Sequence, residues 1–211
     1  MGRKKQNPED SIKRGLILKK AAKMFMTQGY SAVSMDGLAE AVPVSKRTLY
    51  NHFKDKKALF TAVMQNRCQL LFSTLEQSLD GSQNVEKTLT EIAKEFLGVV
   101  LEPDALNIYR TAITESQHFP ELGKLFYESG PKRSRAILAE YLSKVDASGE
   151  MKVPNPELAA GIFLNMLLGR IQMQCLLGLK KDVSPAEKNE IIRYVVTVFL
   201  YGHSVKAKKD R

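Results

Sequence analysis

Apolar residues recur at intervals of three and four positions along most of this chain, with polar residues between them. Such spacing places the apolar side chains on one face and is typical of amphipathic helices. Beyond Gly81 no run alternates between apolar and polar positions in the way that predicts a half-buried strand. The pattern therefore predicts an all-α fold of about nine helices, in a chain of 211 residues that is long enough for one or two domains with a core.

Helix boundaries are marked by local signals. Three helices are expected to begin with a side chain that can cap, a proline at the first helical position and an acid in the first turn. These signals are Asn7-Pro8-Glu9-Asp10, Asn155-Pro156-Glu157 and Ser184-Pro185-Ala186-Glu187. The first helix is expected to end at Gly29, and a long helix is expected over 55–79, spanning about 36 Å at roughly 1.5 Å per residue. The run 195–198 favours a strand by propensity, but the cap and the spacing around it predict a helix.

Two short helical patterns separated by a tight break lie between Ser34 and Phe53. Ser34 and Ser45 each stand immediately before one pattern and can cap it. Pro43 disfavours helical geometry at the residue before it, so the first pattern is expected to end near Val42. The apolar positions at helical spacing are Met35, Leu38, Ala39 and Val42 in the first pattern, and Leu49 and Phe53 in the second. Together the two patterns predict a helix-turn-helix.

The second short helix carries polar residues on the face opposite its apolar one. They are Lys46, Arg47, Thr48, Tyr50 and Asn51. In a helix-turn-helix this face contacts base edges in the major groove, although the same residues could simply form an exposed polar surface. Arg47 is the candidate for a guanine contact because its guanidinium can donate to two acceptors at once, and Asn51 is the candidate for an adenine contact. Ser34, Ser45, His52, Lys54 and Lys56 are the further candidates, chiefly for the sugar-phosphate backbone; His52 could instead be an ordinary surface histidine.

Positive charge is concentrated at the same end of the chain. Residues 1–60 contain thirteen Lys or Arg and five acids, a balance of +8, and the tail from His203 onwards adds +3. Because the whole chain carries +9, the stretch 61–202 must be 2 units negative. A protein with a generally basic surface would not be expected to separate its charge so sharply along the chain. The concentration of positive charge in residues 1–60 therefore favours a nucleic-acid-binding N-terminal part.

The last two helices are expected at about 156–177 and 185–201. Residues 158–179 are apolar on nearly all sides, which could indicate a transmembrane segment. Arg170 lies in the middle of this segment, and a central arginine costs about 2.5–3.5 kcal/mol on insertion scales. A helix covered by its own domain and by a partner fits better, so these two helices are predicted to pair with a second copy and no membrane association is expected.

Other classes of protein are less well supported. Cys68 and Cys175 are far apart, which predicts neither a disulfide framework nor a metal site and fits a reducing cytoplasm. The N-terminus lacks an apolar signal segment, so a cytoplasmic location is expected. The sequence contains no glycine-rich phosphate loop after a strand and no cluster of residues with metal-ligand spacing. No enzyme activity, cofactor or metal is therefore predicted.

Two separated blocks resemble the DNA-binding domain of the TetR family of transcriptional regulators. The first is ILKKAAKMFMTQGYSAVS, residues 17–34, and the second is VSKRTLYNHFKDKKALF, residues 44–60, in which Lys56 matches a lysine at the start of the family's fourth helix. Pro43 stands where the family most often has glycine, so the turn must be built without a left-handed residue. The segments HFPELGKLFYESGPKR and PELAAGIFLNMLLGR are similar to the C-terminal domain of an AefR-like branch.

The resemblance implies an organisation and a function. It implies a three-helix DNA-binding domain over 1–54, an effector-binding and dimerisation domain over 55–203, and a basic tail over 204–211. The expected protein is a homodimeric repressor that binds a palindromic double-stranded DNA operator and releases it when a small molecule binds, with the 55–79 helix as lever. A structural, nucleoid-type DNA-binding protein without an effector is the alternative.

The resemblance also implies an effector cavity lined by helices of the C-terminal domain. Candidate lining residues are Tyr109, His118, Phe126, Tyr127 and Gln172. Aromatic residues at helical spacing are more often plain core than ligand contacts, so the two interpretations stay open. The sequence does not identify the effector or the operator.

Overall fold

The computed structural model describes residues 8–66 and 84–204, and throughout these residues every regular element is a helix. The helices are α1 (Pro8–Ala32), α2 (Met35–Ala41), α3 (Lys46–His52), α4 (described over 56–66), α5 (Val85–Val100), α6 (Pro103–Ser116), α7 (Pro120–Ser129), α8 (Pro131–Ser148), α9 (Pro156–Leu176) and α10 (Pro185–Gly202). The predicted all-α fold is confirmed. The part of the predicted 55–79 helix beyond residue 66 lies outside the described residues.

Side-chain caps begin α2, α9 and α10 as the sequence predicts, whereas Asn7, the predicted cap of α1, lies outside the described residues. The Ser34 hydroxyl accepts a hydrogen bond from the Gly37 amide at 3.0 Å, and the Ser184 hydroxyl accepts one from Glu187 at 3.2 Å. Asn155 caps α9 in the same way. Residues 195–198 lie inside α10, so the cap and the helical spacing outweigh the strand propensity of three valines and a threonine.

The chain contacts divide the molecule into two compact units. The described residues before 67 and residues 107–129 form the first unit, which therefore includes most of α6 and all of α7. Its core contains Phe25 and Phe60, whose rings meet edge to face at 5.1 Å, and extends to Ile108 of α6 and Leu122 of α7. The predicted functional domain boundaries at residues 54 and 203 stay predictions.

The second unit comprises residues 84–106 and 130–204 among those described. Within it α8 packs on α9, and α10 packs on α5 and α9. The Phe163 and Phe199 rings are buried 5.0 Å apart between α9 and α10. In the described parts of the chain, no helix is long and apolar enough to cross a membrane.

Candidate nucleic-acid interface

The helix-turn-helix is formed by α2, a short turn and α3. The Val42 amide closes α2 by donating to the Leu38 carbonyl at 3.1 Å, and the Val44 amide donates to the Val42 carbonyl at 2.7 Å. That second bond makes a three-residue turn with Pro43 at its centre, a position that the fixed φ of proline suits. No residue other than glycine has a positive φ in the described chain, so this turn does without a left-handed residue.

Helix α3 is anchored by one buried face and presents the other to solvent. Leu49 is fully buried and Phe53 is nearly so. On the opposite side Arg47 and Asn51 are exposed, and 41% of Tyr50 is accessible. The helix therefore has little freedom to rotate, and the predicted base-reading side chains share one exposed surface.

Hydrogen bonds at the start of α3 restrict some of its polar side chains. The Ser45 hydroxyl accepts from the Thr48 amide at 3.1 Å and lies 2.8 Å from the Thr48 hydroxyl. The Lys46 ammonium lies 2.6 Å from the Asp36 carboxylate of α2, and this hydrogen bond raises the pKa of Lys46. Lys46 thus ties α2 to α3, while Arg47 has no ion pair with any described residue.

Two residues predicted to contact phosphate are turned towards the protein. The His52 side chain is only 10% exposed, and its Nε2 lies 3.3 Å from the Asp10 carboxylate of α1. Lys56 donates from Nζ to the carbonyls of Tyr30 and Ser31, at 2.9 and 3.2 Å, and lies 4.5 Å from the centre of the Tyr30 ring. Burial lowers the pKa of Lys56. Lys56 therefore caps the C-terminal end of α1. The other two residues predicted to contact the DNA backbone, Ser34 and Lys54, are exposed to solvent.

Glu115 of α6 is an important residue of this unit that the sequence did not reveal. Only 8% of it is exposed, and its carboxylate accepts hydrogen bonds from the Ser31 hydroxyl at 2.6 Å and the Ser31 amide at 3.2 Å. Burial opposes the charge, but these hydrogen bonds, one from the Tyr30 backbone and the nearby His118 together lower the pKa of Glu115. The carboxylate thus fixes the C-terminal end of α1 to α6.

A Glu115→Gln protein is expected to lose stability at neutral pH. Since the folded state lowers the pKa of Glu115, the carboxylate contributes stability above its unfolded pKa of about 4.3, and the contribution is lost as pH falls through the lower folded pKa. Loss of the charged hydrogen bonds is expected to cost about 1.5–3 kcal/mol at pH 7. Denaturant unfolding of both proteins between pH 7 and 3 measures the difference, which should shrink towards the acidic end.

The matched control for this substitution is Glu140→Gln. Glu140 is an exposed carboxylate on α8 that pairs with Lys144, so its neutralisation is expected to change stability little. A Glu115→Gln protein as stable as the wild type at pH 7, or a difference that persists unchanged to pH 3, would contradict the assigned role of the carboxylate.

The predicted effector residues are distributed over both units. Tyr109 and Phe126 meet edge to face with ring centres 5.2 Å apart, and His118 and Tyr127 of the same unit are exposed. Gln172 is a half-buried residue of α9 in the second unit. A cleft of about 700 Å³ lies between α9 and α10, and none of these five residues lines it. Their role in effector binding stays a prediction.

Comparisons with known proteins agree with this geometry. Residues 17–63 match the model of bacterial regulatory proteins of the tetR family, and residues 87–203 match that of the C-terminal domain of AefR-like transcriptional repressors. The chain is 31% identical over 167 residues to the uncharacterized HTH-type transcriptional regulator YhgD of Bacillus subtilis strain 168, covering 75% of this chain and 82% of that protein.

Two solved structures share the fold over nearly the whole length of the chain. A TetR-family transcriptional regulator from Mesorhizobium loti has a TM-score of 0.83 at 27% identity, with 94% of this chain and 100% of the other covered. The flavonoid-responsive regulator FrrA has a TM-score of 0.77 at 30% identity, with 93% and 100% covered. The helix-turn-helix, the two matched family models and these relatives lead to one conclusion: the chain belongs to the TetR family of transcriptional regulators and is a DNA-binding transcriptional regulator.

Proposed function

We propose that the protein is a ligand-responsive repressor that binds a palindromic operator as a homodimer, in the cytoplasm and without catalysis. The observation that carries the proposal is the exposed face of α3, held in place by the buried Leu49 and Phe53. Because that face offers Arg47, Tyr50 and Asn51 together, it suits the major groove of double-stranded DNA. The repressor role is supported by the match of residues 87–203 to an AefR-like repressor domain.

Within this interface the side chains have different roles. Arg47 reads a guanine, because its guanidinium donates to two acceptors, and Asn51 reads an adenine, because its side-chain amide both donates and accepts. Ser34 and Lys54, which are exposed, contact the phosphate backbone and set the register. Lys56 contributes through its hydrogen bonds to the end of α1, and His52 through its contact with Asp10.

An Arg47→Ala homodimer is expected to bind its operator at least about 30-fold less tightly and to lose preference at one base pair in each half-site, because it loses two bidentate contacts worth roughly 1–3 kcal/mol each. Footprinting of the wild-type protein on DNA flanking its own coding region first locates the operator. Titrations of single-base operator variants then measure the affinity and the preference. Lys13→Ala is the control, since Lys13 is a cation of the same unit that is paired with Glu9 on α1.

Two results of that experiment are decisive. An Arg47→Ala protein that binds the operator as tightly and as selectively as the wild type would remove Arg47 from base reading. Wild-type binding that is equally strong on every sequence and saturates along random DNA would instead favour the structural, nucleoid-type alternative.

The homodimer is supported by apolar side chains that remain exposed on α9 and α10. Leu158 and Ile162, near the start of α9, are 60% and 47% exposed. Tyr194 and Tyr201 of α10 are 73% and 77% exposed. A patch of this kind on a single subunit is typical of a surface that a partner covers, and a twofold dimer places two α3 helices on one side of the operator.

The effector is proposed to be a small organic molecule, consistent with FrrA, whose name describes it as flavonoid-responsive. The Tyr109 and Phe126 pair and the neighbouring Tyr127 could stack on such a molecule. Binding then shifts the population towards dimers whose α3 helices are wrongly spaced for the operator. Operator affinity measured with and without a flavonoid panel tests this step, and equal affinities throughout would remove this ligand class.

A further inference from the structure

The cleft between α9 and α10 has an apolar floor and a charged rim. Leu167, Ile171 and Val195 line it and are buried. Arg170 of α9 and Glu190 of α10 also line it, and both are exposed. The cleft thus carries opposite charges on its two walls, within the surface proposed above to meet a second copy.

Among the charged residues that line the cleft, Glu187 is neutralised by a residue of its own chain, whereas Arg170 and Glu190 are not neutralised by any residue that the structure describes. Glu187 is bonded to Lys180 of the same chain, which satisfies its carboxylate. Arg170 and Glu190 form no ion pair with each other or with any other described residue, although they line one cleft. One cation and one anion on adjacent helices therefore remain available to a partner.

Helix α9 is interrupted immediately before Arg170. Gly169 has φ 29° and ψ −126°, a backbone conformation that strongly favours glycine, and it breaks the helical path between Leu168 and Arg170. The direction of Arg170 is therefore set by the segment after the break and not by the helix that precedes it. At the site of the break a bulkier residue would be strained, so this geometry depends on glycine.

We propose that Arg170 of each protomer pairs with Glu190 of the second copy, so that two equivalent ion pairs select this chain as its own partner. The inference rests on the proposed homodimer. In a twofold interface residue i meets residue j while j meets i, so one cation and one anion on a shared surface complement themselves in a second copy. Rim charges of this kind discriminate between partners, because a wrong partner brings like charges together.

Charge reversal provides the test. Arg170→Glu and Glu190→Arg are each expected to raise the dimer dissociation constant about tenfold or more, since each homodimer then contains two like-charge contacts. An equimolar mixture of the two proteins restores both pairs, with two acidic positions on one chain facing two basic positions on the other. Native mass spectrometry of the mixture should show heterodimer well above the statistical half.

Matched controls separate this effect from net charge. Glu140→Arg and Lys144→Glu make the same charge changes on α8, at exposed residues that do not line the cleft. Each is expected to dimerise like the wild type, and their mixture is expected to contain the statistical half of heterodimer. The double variant Arg170→Glu with Glu190→Arg is expected to recover the wild-type dissociation constant.

Each other result has a distinct meaning. Single variants that dimerise like the wild type, or a mixture at the statistical half, overturn the inference and leave the homodimer standing. If the double variant recovers the wild-type dissociation constant but the mixture shows no excess of heterodimer, the pairing lies within one chain. That result also overturns the inference. A wild-type protein that is monomeric at micromolar concentration contradicts the proposed homodimer itself.

Discussion

A Phe60→Ala protein is expected to lose about 3–5 kcal/mol of unfolding free energy in the unit that carries the helix-turn-helix, the range found when a buried phenylalanine is truncated. Phe60 is 1% exposed and lies on α4. Its ring meets Phe25 of α1 at 5.1 Å and Tyr30 at 5.2 Å, both edge to face. Removal of the ring leaves a cavity at the point where these helices meet.

This loss is large enough to affect DNA binding. Natural domains are stable by only about 5–15 kcal/mol, and a loss of this size raises the unfolded fraction of the unit by at least about a hundredfold. The chain has no tryptophan, so hydrogen exchange of the α1 and α2 amides is the appropriate local measurement, followed by operator titration. Hydrogen exchange at these amides should accelerate by at least about a hundredfold, because the expected loss is at least about 3 kcal/mol and each 1.4 kcal/mol is a factor of ten.

Tyr127→Ala is the control for this truncation. Tyr127 belongs to the same unit but is 45% exposed, so its truncation is expected to change stability much less than that of Phe60. If Phe60→Ala and Tyr127→Ala prove equally stable, the aromatic group around Phe60 is not the core of the unit.

A Gly29→Ala protein is expected to be destabilised by about 3–5 kcal/mol, through a combination of backbone strain and loosened hydrogen bonds. Gly29 has φ 81° and ψ 163°, a conformation that is essentially restricted to glycine. An added Cβ would lie 3.1 Å from Oε1 of Glu115. The carboxylate would have to move, and its hydrogen bonds to Ser31 would weaken.

Gly15→Ala is the matched control and is expected to act in the opposite direction. Gly15 lies inside the same helix, and an added Cβ there would meet no atom within 4 Å. Alanine in place of glycine within a helix stabilises by roughly 0.5–1 kcal/mol. Thermal unfolding is therefore expected to show a lower melting temperature for Gly29→Ala and a higher one for Gly15→Ala than for the wild type. A Gly29→Ala protein at least as stable as the wild type would contradict the strained conformation.

Local sequence signals predicted the helices well. Capping side chains such as Ser34 and Ser184 act on amides two or three residues away, so a helix start is determined by neighbours along the chain. Leu49 and Phe53 are separated by four positions and both are buried, as helical spacing predicts. For the same reason the exposed face with Arg47 and Asn51 followed directly from the pattern.

The functions of individual polar residues were harder to predict. Lys56 is predicted to contact phosphate, and in the structure its ammonium donates to the carbonyls of Tyr30 and Ser31, so the phosphate contact stays a prediction. His52 is predicted to contact the DNA backbone or to be an ordinary surface histidine; its Nε2 lies 3.3 Å from the Asp10 carboxylate, and its contact with DNA stays a prediction. A long polar side chain can point towards solvent or towards the protein, and its position in a helical pattern does not decide between the two.

The sequence by itself determined that this protein is helical, where most of its helices begin, and which short helix presents a cationic face, because these properties depend on residues within one or two turns. Tertiary structure decided that α6 and α7 join the helix-turn-helix unit and that Glu115 binds Ser31, 84 positions away in the chain. It also decided that Arg170 and Glu190 share one cleft. Contacts between distant segments depend on how whole helices pack, and no local periodicity specifies which of them meet.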